Sequence, residues 1–146
     1  MEESVSTHDR NQALYAHVSG LLALTGLPFA HVIGPLVFYL QAKNTTSTFA
    51  LENAREALNF QITAGIVWTI AIVAYIVAIF STLASVPAHA SAMPPAGFFA
   101  SMGVALAFVL VALLYALFDF ICVILAAVAV SNGKSYRYPL SIRFVR

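Results

Sequence analysis

Three apolar stretches separated by polar segments dominate the hydrophobic pattern of the chain. They cover residues 13–40, 57–84 and 98–130. Each stretch exceeds the ~20 residues that an α-helix needs to cross about 30 Å of hydrocarbon. The pattern predicts an all-α fold, a polytopic transmembrane helical bundle with three long hydrophobic segments.

The first stretch is predicted to break into two short helices, because Gly26, Pro28, Gly34 and Pro35 cluster in its middle. Proline removes a helical hydrogen bond and clashes with the preceding turn. Two helices of ~20 Å each form either one kinked span or a hairpin that enters and leaves on the same side. Either way, the exposed backbone must be shielded by the other helices. The four predicted helical pieces are residues 13–25, 29–41, 49–84 and 98–131.

Polar residues mark off both ends of this helical domain. We predict a polar N-terminal arm over residues 1–12, a transmembrane domain over 13–131 and a basic C-terminal strip over 132–146 that lies at the membrane interface. The arm begins with acidic residues, whereas a signal peptide begins with basic ones, so no signal peptide is expected.

The composition supports a membrane protein and excludes several other classes. The chain is 61% hydrophobic and 9% charged, whereas soluble domains carry about 25% charged residues. A soluble enzyme, a disordered chain and a nucleic-acid-binding protein are therefore excluded. The chain has one cysteine, which excludes a disulfide framework. It shows no catalytic motif and no metal-ligand spacing, so we expect no enzymatic activity, no cofactor and no bound metal.

The basic residues predict the orientation in the membrane. All seven Lys and Arg residues lie within residues 10–55 or 134–146, and such residues favour the cytoplasmic side. The hairpin places all seven inside, whereas the kinked span places Arg10 outside, so the hairpin is preferred. Both arrangements give a multi-pass protein of the bacterial cytoplasmic (inner) membrane with a cytoplasmic C-terminus.

One charged residue, Asp119, lies inside a presumed span. A carboxylate at mid-bilayer costs roughly 2.5–3.5 kcal/mol, so we expect it to face the bundle interior, near His31 or the freed backbone amides of the break, with Tyr115 one turn away. The favoured interpretation is a protonated Asp119 that joins two helices by a hydrogen bond. A proton or ion relay and a contact with a partner protein remain alternatives.

Two polar segments are candidate interfaces. The start of the second stretch carries a polar girdle. The C-terminal strip has an apolar aromatic face and a cationic face, and the residues of the apolar face are Tyr136, Tyr138, Leu140, Ile142 and Phe144. The girdle is expected to anchor the helix at the membrane surface. The strip either lies on the headgroups or docks a partner. The candidate interface residues are Glu52, Arg55, Glu56, Asn59, Gln61, Tyr136, Arg137, Tyr138 and Arg143.

Two motifs resemble a known family. They are Glu56-Ala57-Leu58-Asn59-Phe60-Gln61-Ile62 and Tyr136-Arg137-Tyr138-Pro139-Leu140-Ser141-Ile142-Arg143-Phe144. With them the chain resembles the small uncharacterised bacterial membrane proteins related to the Tic twenty-kilodalton component of the chloroplast inner-envelope translocon. The resemblance implies four hydrophobic helical pieces, both ends in the cytoplasm, and a role in moving or assembling proteins at the membrane.

The expected function is that of a non-catalytic integral membrane protein for partner binding, assembly or translocation. Its expected partners are the lipid bilayer and either another membrane protein or a second copy of the chain, and no nucleic acid. The alternative is a small channel or transporter in which Asp119 and the helix break at residues 27–35 line a polar pathway.

Overall fold

A computed structural model describes residues 5–27, 29–85 and 95–146, and all regular structure in these ranges is helical. The all-α prediction is therefore confirmed. The chain divides into two compact units, one made of residues up to Gly65 with Asp119–Arg146 and the other of Ile66–Phe118. The helices are α1 (Thr7–Val18), a 3₁₀ segment (Ser19–Thr25), α2 (Ala30–Lys43), α3 (Thr48–Ala84) and α4 (Pro95–Ser131).

Two helices in the described part of the chain, and not three, are long and apolar enough to cross a membrane. They are α3 with 37 residues and the 36-residue stretch Ala96–Ser131 of α4. The first hydrophobic segment is therefore not a third candidate span, and its predicted division into short helices is confirmed. There α1 has 12 residues and α2 has 14, and neither approaches the length of a span.

The first stretch breaks between Thr25, where the 3₁₀ segment ends, and Ala30, where α2 begins, in agreement with the predicted pieces 13–25 and 29–41. Gly26 and Phe29 adopt left-handed φ angles of 74° and 60°, which end the 3₁₀ segment and precede α2. Gly34 and Pro35, by contrast, lie inside α2. Gly34 is needed for packing, because a Cβ added there would lie 2.7 Å from the Cβ of Ser19. This glycine therefore lets α2 approach the 3₁₀ segment closely.

Helix α1 begins inside the predicted polar arm. Ser6 caps it, since its hydroxyl accepts a hydrogen bond from the backbone N–H of Asp9 at 3.1 Å and donates one to the Asp9 carboxylate at 2.7 Å.

Five buried alanines form the centre of the first unit, and small side chains allow the helices to pack closely. They are Ala16, Ala42, Ala50, Ala54 and Ala57, with Phe38, Tyr39 and Leu51 against them.

The second unit is held by aromatic contacts between its two helical segments. Trp68 packs edge-on against Phe108 and Tyr115, with centroid distances of 6.5 Å and 5.6 Å, and Tyr75 stacks on Phe108 at 4.5 Å. Most other large apolar side chains of this unit point outward, such as Phe80, which is 66% exposed. Helices with apolar residues exposed all round are typical of contact with lipid.

Candidate functional site

The C-terminal residues fold back onto the first unit as a turned segment, which we call the tail (residues 132–146). Helix α4 ends at Ser131, and Gly133 follows with a φ of 73°. Pro139 and Leu140 then form a turn in which Leu140 has a φ of 62°. The prediction of one continuous amphipathic strip is therefore wrong, because this turn reverses the chain halfway along it.

The outward leg of the tail is attached through a buried histidine. The Nδ1 of His17 lies 2.9 Å from the Tyr138 hydroxyl, and its Nε2 lies 3.4 Å from the Asn53 Oδ1. The same Asn53 oxygen accepts the backbone N–H of Tyr136 at 3.1 Å, while Asn53 Nδ2 donates to the Phe49 carbonyl at 2.9 Å. An amide oxygen can only accept, so Nε2 carries the imidazole proton and the Tyr138 hydroxyl donates to Nδ1.

The ring of Tyr138 is also packed face to face with Phe60, with centroids 4.0 Å apart and planes inclined by 8°. Burial raises the pKa of Tyr138 well above its ordinary value, which keeps its hydroxyl protonated as a donor. Burial lowers the pKa of His17 to about 4, although the hydrogen bond to Asn53 opposes that change. The side chains of His17 and Tyr138 are therefore both neutral at pH 7 in the closed arrangement, in which the tail is attached through their hydrogen bond.

The return leg of the tail is attached to α3 by two further side chains. Asn59 Oδ1 accepts the backbone N–H groups of Phe144 and Val145 at 3.0 Å and 2.8 Å, and its Nδ2 donates to the Val145 carbonyl at 3.0 Å. Thr63 Oγ1 accepts the N–H of Ile142 at 3.0 Å. These side chains supply the backbone partners that a neighbouring strand would otherwise provide.

A charged cavity of about 420 Å³ lies between the tail and α3. The Nε of Arg143 is 3.5 Å from the Oε1 of Glu56. The Nε of Arg55, in contrast, is buried and has no hydrogen-bond partner among the described residues. The cavity is lined by Glu52, Asn53, Arg55, Glu56, Asn59, Ser135, Tyr136, Arg137, Arg143, Val145 and Arg146.

Most of the candidate interface residues thus come together, although they lie far apart in the sequence. Seven of the nine line the cavity, namely Glu52, Arg55, Glu56, Asn59, Tyr136, Arg137 and Arg143. Tyr138 lies beside it in the contact with His17. Gln61 points elsewhere, towards Asp119. Their role as an interface stays a prediction.

The structure gives the candidate intramembrane residues partners that the sequence did not name. Gln61 Nε2 donates to the Asp119 Oδ1 at 3.2 Å, so the carboxylate is bound by α3. The Nε2 of His31 is buried without a hydrogen-bond partner among the described residues, and a Cβ on Gly65 would lie 3.2 Å from it. Tyr115 packs on Trp68 in the second unit. The amide of Gln61 is thus a partner of Asp119 that the sequence did not predict, and the expected position of Asp119 near His31 or the backbone amides of the break stays a prediction.

Three residues that hold the tail were not among the candidate interface residues, namely His17, Asn53 and Thr63, and neither was Ser135 of the tail itself. Asn53 Nδ2 lies 3.4 Å from the Ser135 hydroxyl, which adds a second contact to the outward leg. The available signal was the run of buried polar residues at the start of α3, since buried polar groups need partners. Within the described ranges, no group of three or more His, Cys, Asp or Glu residues could hold a metal ion.

Comparison with known families corrects the resemblance drawn from the two motifs. A family model described as the magnetosome magnetite crystal formation protein family, MamF/MmsF, matches residues 8–145. The assignment to the Tic-like proteins, which rested on the two motifs, is therefore wrong. No curated protein and no solved structure matches the chain.

Proposed function

Because this chain belongs to the magnetosome magnetite crystal formation protein family, MamF/MmsF, we propose that it is a non-catalytic assembly component of the magnetosome membrane. It acts on crystal formation by holding a second membrane protein at its tail. The observation that carries this proposal is an exposed apolar surface on a tail that the first unit fixes in place.

This tail surface consists of Leu140, Ile142 and Phe144, which are 83%, 55% and 48% exposed. On the return leg, Arg143 and Val145 line the cavity, whereas the intervening Phe144 does not. Successive side chains on this leg therefore alternate between two faces, as in the period-two pattern of the sequence. Exposed apolar side chains on a fixed backbone, flanked by arginines, are typical of protein interfaces. Because two helices of this chain are long and apolar enough to cross a membrane, a partner that is itself in the membrane suits this surface.

The distribution of charge supports an orientation with both ends in the cytoplasm. Two spans return the chain to the side where it began, and all seven Lys and Arg residues lie outside residues 56–133. Residues 85–94, which connect α3 and α4 in the sequence, contain no charged residue. Carboxylates are favoured ligands for hard metal ions, and the residues that connect α3 and α4 contain none. An action through partner proteins therefore suits this chain better than direct binding of iron by these residues.

Cross-linking in native membranes tests the proposal directly. The chain has two lysines, Lys43 and Lys134, and both lie on the side proposed to be cytoplasmic. An amine-reactive cross-linker followed by mass spectrometry should join Lys134 to another membrane protein. Differently tagged copies, expressed together, separate a foreign partner from a second copy of this chain.

The double variant Leu140→Ser and Phe144→Ser should abolish this cross-link, because both side chains are exposed and removing them leaves the tail's hydrogen bonds intact. The matched control is Leu24→Ser with Leu27→Ser, two residues that are 76% and 65% exposed in another part of the first unit. Equal recovery of the cross-link from both double variants, or none from the wild type, would refute the proposal.

A further inference from the structure

The cavity between the tail and α3 has the chemistry of an anion site. Four arginines and two glutamates line it, so positive charges exceed negative ones. We propose that it binds a phosphate group, carried by the headgroup of an anionic phospholipid or by a free phosphate ion. This site lies on the inner side of the tail and is separate from the proposed partner surface on its outer side.

Arg55 is the central residue of the proposed site. Its Nε is buried without a hydrogen-bond partner among the described residues, and the nearby Glu56 is paired with Arg143. A buried donor of this kind needs an acceptor. The planar guanidinium presents its N–H groups in a fork that matches two phosphate oxygens. A phosphate would therefore supply the partner that Arg55 lacks.

The position of the cavity along α3 suits a lipid headgroup. Asn59 lines it, and the exposed apolar part of α3 begins seven residues later at Ile66. Seven residues correspond to ~10 Å of helix, comparable with the ~5–8 Å thickness of the headgroup region on one side of a bilayer. Basic pockets on the cytoplasmic side are typical lipid headgroup sites. The headgroup source rests on the proposed membrane orientation, whereas the free-phosphate source does not.

The test uses the full chain in lipid nanodiscs, with arginine labelled by ¹⁵N. One preparation contains phosphatidylcholine alone and is titrated with inorganic phosphate. The other contains an increasing fraction of phosphatidylglycerol and no added phosphate. The Nε–H resonance of Arg55, assigned from the spectrum of Arg55→Lys, reports occupation of the site directly. A shift in the first titration identifies free phosphate, and a shift confined to the second identifies the lipid headgroup.

Arg55→Gln is the binding variant, and Lys134→Gln is the matched control, because it removes one positive charge from the tail outside the cavity. The number of phosphatidylglycerol molecules retained in native mass spectrometry, or the affinity for phosphate, is compared between them. Losing a charge-assisted hydrogen bond should weaken binding by about tenfold or more in Arg55→Gln, whereas Lys134→Gln should change it by less than about twofold.

Three results would overturn the proposal. One is an Arg55 resonance that stays unchanged in both titrations. Another is an equal loss of binding in Arg55→Gln and Lys134→Gln, which would indicate general electrostatic attraction to the bilayer. The third is an acidic peptide that shifts the resonance when neither phosphate source does. Because the wild-type resonance is the primary readout, the test stands even where Arg55→Gln fails to fold.

Discussion

His17 and Tyr138 are 121 residues apart in the sequence, and the Tyr138 hydroxyl donates a 2.9 Å hydrogen bond to the Nδ1 of His17. This contact joins the last turns of α1 to the tail inside a protein-covered site, since the two residues are only 1% and 6% exposed. The arrangement of the tail, and with it the charged cavity, depends on a histidine near the opposite end of the chain.

Tyr138→Phe should loosen the tail without displacing the ring. The phenyl ring can still stack on Phe60, but the buried Nδ1 of His17 loses its donor, which costs about 1–3 kcal/mol. Thermal unfolding in detergent, together with amide exchange at Ile142 and Phe144, measures this loss. Tyr15→Phe is the control, because Tyr15 is 53% exposed. Equal stability of the two variants would show that the hydroxyl contributes nothing.

Closure of the tail should depend on pH through His17. Its pKa is about 4 in the closed arrangement and returns to about 6.5 once the ring is exposed. The free energy of opening the tail is therefore highest above pH 6.5, where His17 is neutral in both states. It falls as the pH drops from 6.5 to 4 and is constant below pH 4. The total loss is about 3 kcal/mol.

Amide exchange of the tail at pH 7.5 and pH 5, corrected for the intrinsic rates, should show faster opening at the lower pH. His17→Gln removes the titrating group and should make opening equally fast at both values. A wild-type tail that becomes more protected at pH 5, or a variant that keeps the full pH dependence, would contradict the assignment to His17.

The sequence predicted the helical class and the break in the first stretch, because glycine and proline act on the local backbone. The break lies between Thr25 and Ala30, as the predicted pieces 13–25 and 29–41 require. Gly34 and Pro35 take no part in it, since helix α2 tolerates Pro35 and the left-handed residues are Gly26 and Phe29. A phenylalanine at a positive φ has no local signal. The sequence left open whether the first stretch forms a kinked span or a hairpin. Its helices are too short to count as a third candidate span among the described residues, and hydrophobic length alone does not reveal where a helix stops.

Most residues of the site could be named from the sequence, but their arrangement in space could not be predicted. Asn59 was a candidate as part of the polar girdle, and Arg143 as part of the cationic face of the strip. The turn at Leu140 that brings them together depends on long-range hydrogen bonds from α3. His17 was missed for the same reason. Its role depends on Asn53 and Tyr138, which local periodicity cannot bring together.

Gly34→Ala should destabilise the first unit because the added methyl group would lie 2.7 Å from the Cβ and 2.9 Å from the backbone oxygen of Ser19. Overpacking of this kind costs about 1–3 kcal/mol. Gly103→Ala is the matched control: it lies in α4 with open space around it and should gain about 0.5–1 kcal/mol from helix propensity. The two unfolding midpoints should move in opposite directions, and a common direction would contradict the close approach at Ser19.

Asp119 offers the sharpest distinction between a structural role and a charge-carrying one. The amide Nε2 of Gln61 donates to its Oδ1 at 3.2 Å, and an asparagine oxygen can accept the same hydrogen bond. Asp119→Asn should therefore leave the unfolding midpoint nearly unchanged, whereas Asp119→Ala removes the acceptor from the buried Gln61 and should cost about 1–3 kcal/mol. Thermal unfolding of both variants measures the difference, and ion flux in liposomes provides an independent readout. If Asp119→Asn lost as much stability as Asp119→Ala, or if the wild type conducted ions and Asp119→Asn did not, the negative charge itself would be required and the channel interpretation would gain support.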